Sequence, residues 1–93
     1  MPRHRPHDTR SRIRYLRNKI QRYLRMFERL HFPHNQIGRQ TIIDLLRNMI
    51  GTINNTLSHR YSRSLMRNRL NYHRSVWLSS RRTYDEFIRN NQA

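Results

Sequence analysis

One stretch limits the fold more than any other. TIIDLLRNMIGTINNTL, from Thr41 to Leu57, is the only long segment that is both apolar and nearly uncharged. Its apolar residues are Ile42, Ile43, Leu45, Leu46, Met49, Ile50, Ile53 and Leu57. At about 100° per residue they fall within an arc of roughly 160°. Asp44, Arg47, Asn48, Gly51, Asn54 and Asn55 fill the opposite face. So wide a stripe exceeds what one neighbour covers, and it predicts a central helix over 41–57 seated between two others. Thr41 with Asp44 three positions on is a short form of the capping box and marks its start. Gly51, on the polar face, reads as a tolerated surface glycine costing about 1 kcal/mol relative to Ala. A helix-turn-helix with Gly51 at its turn would want a small residue near position 47, where Arg47 stands, so that motif is set aside.

The flanking segments supply the neighbours. Ile13, Leu16, Ile20, Tyr23, Phe27 and Leu30 recur in alternating steps of three and four, a heptad-like seam that predicts a first helix over 10–31. Pro33 ends it, because the residue before a proline is pushed out of the α region. His34 to Arg39 reads as a loop. A third helix is expected over 60–78, with one apolar strip of Tyr61, Leu65, Tyr72 and Val76 and another of Met66, Leu70 and Trp77. Ser79 and Ser80 interrupt that pattern. Thr83-Tyr84-Asp85-Glu86 resembles a fuller capping box and predicts a short last helix over 84–90.

Residues 1–9 carry two prolines and several basic groups with nothing to pack, and predict a disordered basic arm. Asp8, Thr9 or Ser11 would cap the helix that follows. No strand-like alternation occurs. The expected fold class is all-α: a small three-helix bundle with a short C-terminal helix, residues 10–93 forming a single domain. Only 34% of the 93 residues are hydrophobic, so the core must be thin and a protein partner or self-association through the apolar faces would help it.

Charge points to the partner. Twenty basic residues against five acidic ones give a net charge of +15, a self-repulsion that a polyanion relieves. All the basic residues but Lys19 are arginine, which grips phosphate bidentately and stacks on bases. Codon composition in an overlapping reading frame produces the same bias without selection for binding. The charge is not evenly spread: residues 1–32 carry +8, residues 33–58 carry +1 and residues 59–93 carry +6, so a nearly neutral helix lies between two basic ones.

On the first helix Arg14, Arg22, Arg25 and Arg29 share the far side with only Glu28 near them. On the third, Arg60, Arg63, Arg67 and Arg74 line the outside at spacings of three, four and seven, spanning about 21 Å. These eight are the candidate nucleic-acid-binding residues. Tyr15 leaves the apolar seam and points among basic groups, where a ring can stack on an unpaired base. Tyr23, Tyr61, Tyr72, Trp77, Phe27 and Phe87 lie on apolar strips and read as core; Tyr84 stays ambiguous.

Other chemistries lack their residues. There is no cysteine, hence no disulfide, thiolate ligand or thiol nucleophile. His4/His7 and His31/His34 have a ligand-like spacing, but the surrounding charge repels a cation, so these, His59 and His73 read as loop or surface residues and no metal or cofactor is expected. Five scattered carboxylates and no glycine-rich loop leave no acid–base pair or phosphate cradle, so no enzyme is expected.

Three functions compete. The first is a small RNA- or DNA-binding protein contacting phosphate backbone, RNA slightly preferred, of a composition that suits a viral accessory factor. The second is a protein-interaction module whose seam at Ile20 and Phe27 docks a partner. Its arginines would then serve solubility or nuclear import, with Arg3, Arg5, Arg10 and Arg12, together with Arg14, as a loose signal. The third is a basic amphipathic helix lying on an anionic membrane or acting as a mitochondrial presequence. No run of about 20 apolar residues is present to cross a bilayer, and the N-terminus has no secretory h-region. An intracellular protein is expected, nuclear or nucleolar before cytoplasmic or mitochondrial, with the Asn54-Asn55-Thr56 sequon unused.

Overall fold

Three short polar side chains set where the helices begin. A computed structural model describes residues 8–92 and gives α1 (Thr9–Arg29), α2 (Gln36–Ser58) and α3 (Arg63–Asn91), an all-helical bundle with no strand among those residues. The arm expected over 1–9 lies outside the described residues except for Asp8 and Thr9. The Asp8 carboxylate caps α1, accepting from the Ser11 amide at 2.8 Å and its hydroxyl at 3.0 Å. Asn35 caps α2 by accepting from the Gly38 amide at 3.1 Å, and Ser62 caps α3 by accepting from the Leu65 amide at 3.3 Å.

Two of these starts correct the sequence expectation. α2 begins at Gln36 rather than Thr41, so the loop expected over 34–39 is mostly first helical turn. Thr41 is no cap; its hydroxyl donates back to the Ile37 carbonyl at 2.9 Å. Gly38 is there because α3 comes close. A Cβ at this position would meet Phe87 Cε1 and Asn35 Oδ1 at 2.7 Å each. Gly51, by contrast, faces open space.

α3 departs furthest from expectation. It starts at Arg63, leaving Arg60 in the connection, and runs unbroken to Asn91 with no separate helix over 84–90. The Ser79 and Thr83 hydroxyls bond carbonyls of their own helix, at Val76 and Ser79, instead of opening a new one. Two mid-helix serines cost about 0.5 kcal/mol each, whereas burying Tyr84 and much of Phe87 stabilises by about 1.5–3 kcal/mol apiece. Burial wins. The core seam is Met66, Leu70, His73, Trp77, Ser80, Tyr84 and Phe87, in alternating steps of four and three. The strip of Tyr61, Leu65 and Tyr72 is exposed instead, with Tyr72 at 53%.

The helices run alternately up and down through short connections. α1 packs on both others, while α2 and α3 meet each other least. The central member is therefore α1, not the helix over 41–57. α2 gives the core Ile42, Ile43, Leu46, Ile50 and Ile53, but Leu45 at the edge of its stripe is 47% exposed. Ile13, Leu16, Ile20 and Phe27 of α1 are buried, so the seam considered for partner docking lies inside the bundle. At the top, Phe32 from the first connection is fully buried and stacks on Phe27 at 5.3 Å and edge-on to Phe87 at 5.1 Å. Trp77 packs edge-on to Tyr23 at 5.2 Å, and its indole N–H is buried without an acceptor. His73, expected at the surface, is buried at 2% exposure with Nε2 2.8 Å from the Thr56 hydroxyl.

Candidate nucleic-acid interface

Four of the five acidic residues are gathered away from one end of the bundle. Glu28, Asp44, Asp85 and Glu86 all belong to the half holding the α1–α2 connection. Glu28 pairs with Arg47 at 3.0 Å, Asp44 accepts from Gln40, and Asp85 accepts from the Tyr23 hydroxyl at 2.8 Å and faces Arg81 at 3.6 Å. Burial and the Asp85 bond push the Tyr23 phenol well above its ordinary range. Only Asp8 lies at the other end, and its carboxylate is held below the usual range by the bonds from the Ser11 amide and hydroxyl.

That other end is where the start of α1, the end of α2 and the start of α3 converge. They enclose an open cleft of about 1010 Å³ lined by Arg10, Arg60, Arg63 and Arg67, with His59, Tyr61 and the single carboxylate of Asp8 also on its walls. Arg10 fixes the wall: its guanidinium donates to the carbonyls of Leu57 and, at 3.2 Å, His59, closing off the C-terminal end of α2. The side chains of Arg60, Arg63 and Arg67 are exposed and make no hydrogen bond or ion pair among the described residues. Three unpaired guanidinium groups around one cleft repel one another, and an anion there relieves the repulsion.

A second concavity of about 570 Å³ lies between α1 and α3, lined by Arg12, Tyr15, Lys19, Arg74, Trp77 and Leu78. Tyr15 is 56% exposed and Leu78 64%, giving an apolar floor with basic groups around it. Arg14, Arg22, Arg25 and Arg29 are exposed on the outer side of α1, as their spacing required.

The eight predicted arginines thus fall into separate groups. Arg60, Arg63 and Arg67 share the end cleft, Arg74 borders the groove holding Tyr15, and the four of α1 form an outer ridge. Because Arg60 precedes the helix, the helical line from Arg63 to Arg74 spans about 16 Å rather than about 21 Å. Arg81 continues the same face one heptad on, though it faces Asp85. Arg10 and Arg12, read as import residues, belong to α1 and line the two concavities; Arg3 and Arg5 lie outside the described residues.

Sequence reasoning missed His59 and Tyr61, whose rings stack at 5.4 Å with an interplanar angle of 17°. Their two-residue spacing inside an arginine-rich connection was the available signal. Among the described residues no group of three or more His, Asp or Glu side chains is placed to hold a metal ion. No helix there is long and apolar enough to cross a membrane. No family model, curated protein or solved structure matches the chain.

Proposed function

We propose that this protein binds nucleic acid through backbone phosphates, with the end cleft as the principal contact and the α1 ridge as a second. One observation carries the reading: Arg60, Arg63 and Arg67 line an open cleft and form no ion pair among the described residues, the one carboxylate of that cleft, Asp8, being bonded to Ser11. Guanidinium groups held this way accept phosphate oxygens without first giving up an ion pair. Phosphate contacts alone give little sequence selectivity. RNA is the preferred form, since arginine-rich helices suit structured RNA and Tyr15, exposed beside Arg74, offers a ring to an unpaired base. A viral accessory role and a nuclear address, with Arg3, Arg5, Arg10 and Arg12 as import residues, are parts of the same proposal.

Equilibrium titration of labelled duplex RNA, duplex DNA and anionic lipid vesicles, each at several salt concentrations, tests it. Binding to nucleic acid that weakens steeply with salt is expected. Binding to vesicles alone would replace the proposal with a membrane-surface role.

A protein-interaction role rests on a different surface. Between α2 and α3 a shallow groove of about 200 Å³ is lined by Leu45, Met49, Tyr72 and Val76 and carries no charged side chain. It is the face a protein partner would use, since Ile20 and Phe27 are enclosed. Leu45→Asp with Tyr72→Asp would abolish such docking and leave nucleic-acid affinity nearly intact.

A further inference from the structure

The end cleft holds more than charge. His59 and Tyr61 stack nearly parallel at its edge, and Arg60 lies between them in the chain. His59 Nδ1 is 2.7 Å from the Asn55 carbonyl oxygen. A carbonyl only accepts, so Nδ1 carries the proton, and in the neutral ring Nε2 is left as an acceptor. The imidazole is thereby held against the end of α2, and the Tyr61 ring lies over it.

We propose that this stacked pair is a platform for one unpaired nucleotide, with Arg60, Arg63 and Arg67 taking its phosphates. The proposal rests on the nucleic-acid reading above and deepens it, from any phosphate backbone to a strand with a free or splayed base. A cleft of about 1010 Å³ has room for a nucleotide, since small-molecule sites span about 300–1,000 Å³. An aromatic ring beside cations matches what a nucleotide presents, a π-face and an anion. A blunt duplex offers phosphates but keeps all bases except its end pairs stacked on both faces, so the aromatic pair gains little from it. The same chemistry is carried by a free nucleoside triphosphate.

Fluorescence anisotropy with a blunt duplex, the same duplex bearing a short single-stranded tail, and a nucleoside triphosphate as competitor tests the proposal at fixed salt. The tail is expected to tighten binding about five-fold or more, the lower range for one stacked base. Tyr61→Ala should collapse the ratio of tailed to blunt affinity towards one, and Tyr61→Phe should keep it. The unchanged circular dichroism of both variants is expected, because Tyr61 lies in the connection and is exposed. A triphosphate that competes more effectively against the tailed duplex than against the blunt one supports the same pocket, and equal competition against both counts against the platform. Equal wild-type affinity for tailed and blunt duplexes, or a tail preference that survives Tyr61→Ala, overturns the platform and leaves phosphate binding standing. Absence of binding to either duplex overturns both.

Discussion

Nε2 of His73 lies 2.8 Å from the hydroxyl of Thr56, and both side chains are buried where α2 meets α3. Burial first, and the nearby Arg69 guanidinium second, hold the imidazole below its ordinary value of 6.5. Arg69 also donates to the Thr56 hydroxyl at 3.4 Å and lies 5.1 Å above the Tyr72 ring, so the positive charge is fixed beside His73. The folded state therefore binds this proton less readily than the unfolded chain. The stability so gained is complete above the unfolded value and is lost as pH falls from there through the depressed folded value. Urea denaturation should show a midpoint that declines between pH 7.5 and pH 5.5. His73→Gln, which keeps a polar partner for Thr56 but does not titrate, should flatten that decline.

The two glycines should respond oppositely to the same substitution. Gly51→Ala adds a methyl group in open space on a helix and should raise stability by up to about 1 kcal/mol. Gly38→Ala drives a Cβ against the Phe87 ring and the Asn35 cap, both at 2.7 Å, and should destabilise by about 1–3 kcal/mol. Urea midpoints of the two variants measure the contrast directly.

Arg10 ties α1 to the end of α2 through the carbonyls of Leu57 and His59. Arg10→Ala should lower stability by about 1–2 kcal/mol, from the lost charge-assisted bonds. Arg10→Lys should recover only part of this, because a single ammonium cannot present the planar fork that spans both carbonyls. Amide hydrogen exchange should rise at the last turn of α2 in both variants, more in the alanine variant.

How far the fold could be read from the chain depends on the element. The α1 seam from Ile13 to Phe27 was plain, because its steps of three and four hold no polar interruption. α3 was not: His73 and Ser80 occupy seam positions, so the pattern broke at residues that Thr56 and small size make tolerable inside. Tyr61, Leu65 and Tyr72 then looked like a second apolar strip beside Met66, Leu70 and Trp77. The start of α2 was hidden by Gly38, which resembles a loop residue until the approach of Phe87 explains it. Phe32 gave no periodic signal at all, standing in a connection beside Pro33. The outward placing of Arg14, Arg22, Arg25 and Arg29 on α1 was legible from spacing, whereas Arg60, placed on the third helix by the same reasoning, stands in the connection. The end cleft was not legible, since Arg10 comes from about fifty positions before Arg60 and only the up-and-down topology brings them together.

The proposed function rests on Arg60, Arg63 and Arg67 of the end cleft gripping phosphates. Its most direct measurement is the slope of log Kd against log salt for one duplex, in the wild-type protein and in a variant with Arg60, Arg63 and Arg67 all changed to Ala. Each phosphate neutralised contributes about 0.9 to that slope for a DNA duplex. The variant should therefore bind more weakly at low salt and lose about 2–3 units of slope, with its helical content unchanged and its urea midpoint no lower than that of the wild type. A wild-type affinity that does not vary with salt, or a slope unaltered by removing all three arginines, would contradict the account.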